Sequence, residues 1–265
     1  MDETKILLPL AQAYSLQGKN QAVLDEVSPD GHPDSLSAGI LAARAGAYMA
    51  LERLGDAKSA LEKAVKLAPE KPIVFEALSQ VLQASGDMTG AEKNIDRALS
   101  LAPDNPRALV RKAGIRQTRG DIENATKLYT KALALSPGNT AALIGRASAL
   151  VAADKDLEAA KDIDAVLQDS AKNPKAFYLS ALLLAREKKF DAAMERLQSV
   201  GEVLANYPPA NYLTASLSFA QGRIEQAQSH IQRYLAKQSD SQRGKRLLAA
   251  IHLRKKNAPA AIKIL

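Results

Sequence analysis

Apolar and small residues recur along this chain with a period of 34. The clearest marks are three copies of one short pattern ending in proline, at Ala64–Pro69, Ala98–Pro103 and Ala132–Pro137. Extending this frame without insertions divides residues 4–265 into eight repeats, which start at Thr4, Ala38, Pro72, Pro106, Thr140, Pro174, Pro208 and Gln242. Self-similarity at a fixed period of this size indicates a repeat architecture.

Two columns of the frame hold small residues. The eighth position is Ala or Ser in every repeat, and the twentieth is Ala in all but the first, where it is Val23. The twenty-fourth position is apolar throughout, from Val27 to Leu265. Small residues at two fixed places, among apolar residues three and four positions apart, are typical of two closely crossing amphipathic helices. Each repeat is therefore predicted to be a helix, a short turn and a second helix.

The residues between and after these helices have turn chemistry. The fifteenth position, where a left-handed cap is expected, is glycine at Gly18, Gly86, Gly120 and Gly222. The other four repeats have Glu52, Asp154, Lys188 and Lys256 there, which puts their local turn geometry in question. Proline ends the second helix in repeats two to four but is missing from the fifth repeat onward. Ser28–Pro33 is predicted to shorten the second helix of the first repeat.

A single repeat cannot bury its apolar stripe, so neighbouring repeats must stack. We therefore expect an all-α protein, a right-handed α-solenoid forming one superhelical domain over residues 4–265 with a truncated last repeat. Ala258–Leu265 continues a helical pattern without a stop signal, which predicts a fragment of a longer repeat protein. The uncapped end is expected to expose Leu248 and Ile251, and therefore to self-associate or fray.

The period and the columns resemble the tetratricopeptide repeat over essentially the whole chain. This resemblance implies a non-catalytic scaffold for protein–protein interaction. Within it, Gln21–Val27, Ile231–Ala236 and Lys245–Arg254 look like the N-terminal repeats of the tetratricopeptide-repeat lipoprotein of bacterial PEP-CTERM/exosortase systems. That narrower resemblance implies a longer, exported, lipid-anchored parent protein.

The narrower resemblance also implies a role in exopolysaccharide biosynthesis or export and in envelope protein sorting. The expected location is then the periplasm or cell envelope of a Gram-negative bacterium. Two alternatives stay open on the sequence alone. One is a cytoplasmic peptide-binding adaptor or co-chaperone, and the other is a regulatory arm of an enzyme whose catalytic domain lies outside this chain.

The composition offers little for catalysis. The chain has no cysteine, which excludes disulfides, a thiol nucleophile and a cysteine-based zinc site. Its three histidines, His32, His230 and His252, share no metal-ligand spacing. Asp162 and Asp164 form a carboxylate pair but are expected on a helix surface. We predict no catalytic residue, metal or cofactor, and no membrane insertion, since no apolar run is long enough.

Candidate binding residues follow from the resemblance, because the first helix of each repeat lines the groove in this family. By position they are Arg107, Arg111, Lys175, Tyr178, Arg186, Tyr212, Phe219, Arg243, Arg246 and Arg254. Chaperone-binding relatives hold a peptide carboxylate with basic residues placed as Arg107 and Arg111 are. The asparagines that this clamp also needs are replaced by Gly46 and Ala77, so we reject it here.

Charge is spread unevenly along the chain. Residues 1–139 have no net charge, whereas residues 208–265 have a net charge of +8. The net charge of the whole chain is +7. A field of one sign attracts anionic partners, so this end beside its aromatic groove residues fits an acidic peptide, an anionic polysaccharide or a phosphate. The alternative is that Arg254–Lys256 is a solvated turn that binds nothing. Nucleic acid is not an expected partner, because no recognised reading motif accompanies the basic residues.

Overall fold

The computed structural model describes residues 6–169 and 173–265, apart from the side chains of residues 202 and 203. Throughout these ranges the regular structure is helical. In chain order the helices are α1 Leu7–Leu16, α2 Asn20–Glu26, α3 Asp34–Ala50, α4 Leu54–Leu67, α5 Pro72–Ala84, α6 Met88–Leu101, α7 Pro106–Thr118, α8 Ile122–Leu135, α9 Thr140–Ala152, α10 Asp156–Asp169, α11 Pro174–Arg186, α12 Phe190–Gln198, α13 Gly201–Leu204, α14 Pro208–Ala220, α15 Ile224–Lys237, α16 Gln242–Arg254 and α17 Ala258–Ile264.

The chain divides into two compact parts, which we call the N-terminal half (Met1–Ala142) and the C-terminal half (Leu143–Leu265). Within each half, consecutive helices pack against each other in pairs joined by short turns, such as α5 with α6 and α14 with α15. These pairs confirm the prediction of an all-α solenoid of helix-turn-helix repeats. The extent of a single superhelical domain over residues 4–265 stays a prediction.

The first helices of repeats three to eight begin at the predicted repeat starts, from Pro72 to Gln242. In the second repeat the first helix begins earlier, at Asp34, because Pro33 takes the extended conformation of a helix N-cap. The Ser37 hydroxyl donates to the carbonyl of Pro29 at 2.7 Å and ties this helix to the preceding connector. The second helix of the first repeat has only seven residues, which confirms that Ser28–Pro33 shortens it.

The predicted columns form the core. The residues at the eighth and twentieth positions are buried in all eight repeats, so the paired helices approach closely there. The twenty-fourth position is buried in the first seven repeats, but Leu265 is 76% exposed because α17 ends at Ile264. Ile251 is fully buried, contrary to prediction, because it packs beside Ile231 of the preceding repeat. Leu248 is half-buried.

All eight turns between paired helices keep the left-handed conformation. The φ angle lies between 56° and 60° at Glu52, Asp154, Lys188 and Lys256, and it is also positive at the four turn glycines. The amide of the next residue still bonds a carbonyl five residues back, as in Lys189 to Leu184 at 2.9 Å. The four turns without glycine therefore have the same geometry as the glycine turns. The helix-end hydrogen bonds hold the backbone of these four residues in a left-handed conformation that costs about 1–2 kcal/mol.

No helix in the described part of the chain is both long and apolar enough to cross a bilayer.

Candidate partner-binding surfaces

In the C-terminal half, the first helices α11, α14 and α16 bring three predicted groove residues together: Tyr178, Tyr212 and Arg243. The Arg243 guanidinium lies 4.6 Å from the ring centroid of Tyr212 and 5.5 Å from that of Tyr234. Arg243 Nε also donates to the Tyr234 phenol oxygen at 3.0 Å. The rings of Tyr212 and Tyr234 lie 5.2 Å apart. A cation thus sits on two aromatic faces, an arrangement stabilised by the negative face of each ring.

One further contact extends this surface to α11 and to Tyr207, the residue before α14. Tyr178 and Tyr207 pack edge to face with centroids 5.5 Å apart. Burial raises the pKa of both phenols, so they stay neutral hydroxyl groups near pH 7. We call the set Tyr178, Tyr207, Tyr212, Tyr234 and Arg243 the tyrosine–arginine patch. It contains four of the seven tyrosines in the chain, a concentration that distinguishes it from the rest of the surface.

Local sequence fixes the position of Arg243. Ser241 caps α16 by accepting the Gly244 amide at 3.3 Å, and its hydroxyl also bonds the Tyr234 phenol at 2.8 Å. A Cβ at Gly244 would lie 2.7 Å from the Tyr234 ring, so only glycine lets α16 approach α15 this closely. The hydrogen bond to Tyr234 raises the pKa of Arg243, which keeps the guanidinium charged.

The remaining basic candidates on α16 lie apart from the patch or beside it. Arg254 lies at the opposite end of the helix from Arg243, with its guanidinium 5.8 Å from the Phe219 ring. Arg246 is exposed one turn after Arg243. The structure therefore places Arg246 near the patch and Arg254 at the other end of α16, whereas Phe219 packs on the same apolar cluster as Tyr212 and Tyr234.

The candidates on α11 differ in how far their charge is already balanced. Arg186 forms ion pairs with Asp154 at 3.1 Å and Asp156 at 2.7 Å, so its charge is already compensated. Lys175 is exposed at the start of the helix. Of these two, Lys175 adds positive charge to the face that holds Tyr178, and Arg186 does not.

In the N-terminal half, Arg107 and Arg111 lie together at a second surface. They line an open pocket of about 420 Å³ with Gln83, Val110, Gly114, Tyr129, Asn139 and Ala141. Arg111 Nη2 donates to Gln80 Oε1 at 3.0 Å. Burial lowers the pKa of Arg111, and the carboxylate of Glu76 opposes that shift.

Glu76 was not predicted as a site residue, although it sits at a groove position one repeat before Arg111. It is only 4% exposed and accepts a hydrogen bond from Asn105 Nδ2 at 2.5 Å. A buried carboxylate supplies an internal counter-charge to the neighbouring arginine. An acidic residue at a groove position of the preceding repeat was the signal available in the sequence, and the same frame that located Arg111 would have found it.

The residues considered for catalysis have structural roles. Asp162 is buried and accepts two hydrogen bonds from Arg146, at 2.8 and 2.7 Å, so its predicted surface position was wrong. The helical pairing of α9 with α10 turns this carboxylate inward. His230 Nδ1 lies 3.1 Å from Asn211 Oδ1, and burial lowers the pKa of the His230 imidazole. Within residues 6–169 and 173–265, no cluster of three or more His, Asp or Glu side chains is arranged to hold a metal.

Two family models, both described as tetratricopeptide repeat, match the chain. One matches residues 42–106, 76–140 and 115–174, and the other matches residues 184–251. The chain belongs to the tetratricopeptide repeat family. Tetratricopeptide repeats are scaffolds for protein interaction, and their stacked helix pairs create extended binding surfaces. A comparison with curated proteins finds no match.

Solved structures show the same tetratricopeptide repeat fold. A tetratricopeptide repeat protein from Parabacteroides merdae is 19% identical, with a TM-score of 0.66 over 86% of this chain and 90% of that one. The Cut9–Hcn1 hetero-tetramer of APC/C matches with a TM-score of 0.76 and 14% identity, over 94% of this chain and 48% of that one. Pseudomonas aeruginosa pilF matches with a TM-score of 0.65 and 18% identity, over 80% of this chain and 97% of that one. At these identities the likeness shows the fold alone.

Proposed function

We propose that this tetratricopeptide repeat chain is a non-catalytic scaffold that binds an acidic segment of a protein partner at the tyrosine–arginine patch. The observation that carries the proposal is the environment of Arg243. Its guanidinium rests on two phenol rings and bonds a phenol oxygen. Among the described residues, no carboxylate forms an ion pair with it. Arg243 is exposed, so a carboxylate from outside can reach it.

The charge of the surroundings favours the same class of partner. The C-terminal half has a net charge of +7, and residues 242–265 contain seven Lys and Arg and no Asp or Glu. Arginine pairs with a carboxylate through two parallel hydrogen bonds, while tyrosine rings offer flat surfaces to the atoms beside that carboxylate. Positive charge over the whole face also accelerates the approach of an acidic partner.

An acidic polysaccharide is the second candidate ligand, because sugar rings stack on aromatic faces such as those of the partly exposed Tyr178, Tyr207 and Tyr212. This candidate fits the setting that the narrower sequence resemblance implies. We therefore propose the cell envelope as the location, with a role in exopolysaccharide export or envelope protein sorting. The support for that setting is the likeness of Gln21–Val27, Ile231–Ala236 and Lys245–Arg254 to the envelope lipoprotein repeats.

The test is a titration with a fluorescein-labelled octaglutamate peptide, repeated with an unlabelled oligouronate that competes for the same site. We expect Arg243→Gln to weaken peptide binding by about tenfold or more, since a hydrogen bond to a charged group contributes about 1.5–3 kcal/mol. Arg233→Gln is the matched control, because Arg233 is an exposed arginine on α15 and its loss changes the net charge equally.

Equal losses for Arg243→Gln and Arg233→Gln would show that only the overall charge attracts the peptide, which would overturn the proposal. Competition by the oligouronate that is lost in Arg243→Gln would favour the polysaccharide as an occupant of the same patch. Binding should weaken as salt rises, because exposed charges are screened over about 10 Å at 0.1 M ionic strength.

A further inference from the structure

The guanidinium group of arginine has two edges that can hold a carboxylate through paired hydrogen bonds. One is the side edge, formed by Nε and one terminal nitrogen, and the other is the end edge, formed by Nη1 and Nη2. Arg146 shows the side edge in use within this chain, since its Nε donates to Asp162 Oδ2 at 2.8 Å and its Nη2 donates to Asp162 Oδ1 at 2.7 Å. The edge that is open at Arg243 therefore determines how a carboxylate from outside can bind there.

The side edge of Arg243 is occupied by the protein itself. Arg243 Nε donates to the phenol oxygen of Tyr234 at 3.0 Å. That phenol lies 2.8 Å from the hydroxyl of Ser241, which in turn accepts the backbone amide of Gly244 at 3.3 Å. Tyr234 is only 3% exposed, so packing between α15 and α16 fixes the position of its ring. A carboxylate could reach the side edge only by breaking the hydrogen bond between Nε and this buried phenol.

The end edge of Arg243 is open. The guanidinium carbon lies 4.6 Å from the ring centroid of Tyr212 and 5.5 Å from that of Tyr234, so aromatic rings cover the flat faces of the group. Hydrogen bonds to a guanidinium form at its edges, in its own plane, and these rings do not prevent them. In the part of the chain that the structure describes, Nη1 and Nη2 have no hydrogen-bond acceptor. Arg243 is exposed, so a carboxylate can reach these two donors.

We propose that Tyr234 is a positioning residue that restricts Arg243 to end-on recognition, an inference that rests on the function proposed above. The carboxylate of the acidic segment binds Nη1 and Nη2 through two parallel hydrogen bonds, while Nε stays on the phenol. Because the phenol already orders the guanidinium, less side-chain freedom is lost when the partner binds. The site therefore recognises the planar shape of a carboxylate as well as its charge, which a lysine at position 243 could not do.

The Arg243 Nε–H signal in a ¹H–¹⁵N NMR spectrum of the full chain reports which edge the carboxylate uses. This signal is assigned by its disappearance in Arg243→Gln. We expect saturating octaglutamate to move it less than Tyr234→Phe moves it in the free protein, because the hydrogen bond from Nε to the phenol persists in the complex. A larger shift on peptide binding would show that the carboxylate has taken the side edge, and would overturn the inference.

The octaglutamate affinity of Tyr234→Phe tests the positioning role. We expect binding to weaken about two- to tenfold, because the guanidinium must then be ordered when the peptide binds. Tyr48→Phe is the matched control, since Arg53 also lies over the Tyr48 ring, at 4.7 Å, but Arg53 Nε bonds Asp56 and not the phenol. Tyr48→Phe should bind as the wild type does. Unchanged or tighter binding by Tyr234→Phe would overturn the positioning role.

Arg243→Lys separates charge from shape without removing the tyrosine hydroxyl. It should bind octaglutamate about tenfold more weakly than the wild type, close to the loss in Arg243→Gln, because one ammonium cannot replace the paired hydrogen bonds. Wild-type affinity in Arg243→Lys, with a loss in Arg243→Gln, would overturn end-on recognition and leave the proposed function intact. Wild-type affinity in Arg243→Gln itself would contradict the proposed function and this inference together.

Discussion

Arg111 in the N-terminal half and Arg243 in the C-terminal half are both arginines on the first helix of a repeat, yet their charges face different surroundings. Arg111 has the buried carboxylate of Glu76 nearby and bonds a glutamine. Arg243 lies on the rings of Tyr212 and Tyr234. Neighbouring residues from other helices, more than the arginine itself, therefore determine whether a groove is open to an anion.

The net charge of each half agrees with this local difference. Residues 1–142 contain equal numbers of basic and acidic residues, whereas residues 143–265 carry a net +7. In the N-terminal groove the Glu76 carboxylate lies near Arg111, and this half as a whole is neutral. The C-terminal patch lies in a field that favours anions, and its aromatic faces support the guanidinium without neutralising it.

The largest expected effect tests the internal counter-charge in the N-terminal half. Asn105 and Asn173 both cap a first helix by accepting two backbone amides, but only Asn105 also donates to a buried carboxylate, Glu76. Asn173→Ala should cost about 1 kcal/mol of unfolding free energy through the lost cap. Asn105→Ala should cost about 1–3 kcal/mol more, because it also leaves the Glu76 carboxylate without its donor.

Urea unfolding of the two asparagine variants measures this difference. Equal destabilisation would mean that Glu76 does not need its asparagine partner, and the contrast between the two grooves would lose its structural basis. Asn105→Ser is a useful companion, because serine retains the cap but not the side-chain amide. It should fall between the wild type and Asn105→Ala.

The two halves are expected to share one repeat framework and to differ only in their grooves. Ala113 and Ala215 occupy the same eighth position in the two halves, and both are fully buried. Replacing either with leucine should overpack the helix crossing and cost about 1–3 kcal/mol. Lys127→Ala, an exposed change on α8, should cost little. Thermal melts in which all three variants are equally stable would contradict the assigned frame.

The smallest effect concerns the turns, where the halves differ in composition but not in conformation. Lys188 has φ 60° in the C-terminal half, and Gly120 has φ 82° in the N-terminal half. Lys188→Gly should stabilise the chain by up to about 1 kcal/mol, because glycine adopts this conformation without a steric cost. Gly120→Ala should destabilise it by about 1 kcal/mol for the converse reason. Changes of the same sign in both variants would be inconsistent with this explanation.

The framework was predictable from the sequence because it depends on spacing. A period of 34 fixes where a helix begins, as at Pro106, and which side faces inward, as at Ala113. The early start of α3 at Asp34 was not predicted, since it depends on the connector conformation around Pro33 and not on the repeat columns. The burial of Ile251 was missed because this side chain packs on the preceding repeat, beside Ile231, and not on the uncapped side of the last repeat.

The candidate site was only partly predictable. Position in the repeat identified Tyr178, Tyr212 and Arg243, and the structure brings them together. It could not identify Tyr234, which comes from a second helix and reaches Arg243 only because Gly244 allows α16 to approach closely. Contacts of this kind join residues from neighbouring helices through particular side-chain rotamers, which spacing alone does not determine.

The position at which an acidic peptide binds distinguishes the tyrosine–arginine patch from the Arg111 pocket. The chain has no cysteine, so a single cysteine can carry a fluorophore without competing labels. Ser216→Cys places the label on α14, where the Ser216 hydroxyl bonds the Tyr212 carbonyl, and Gln83→Cys places it at the Arg111 pocket. We predict that octaglutamate changes the fluorescence of the Ser216→Cys label and leaves the Gln83→Cys label unchanged. A response at Gln83→Cys with equal or higher affinity would contradict the account.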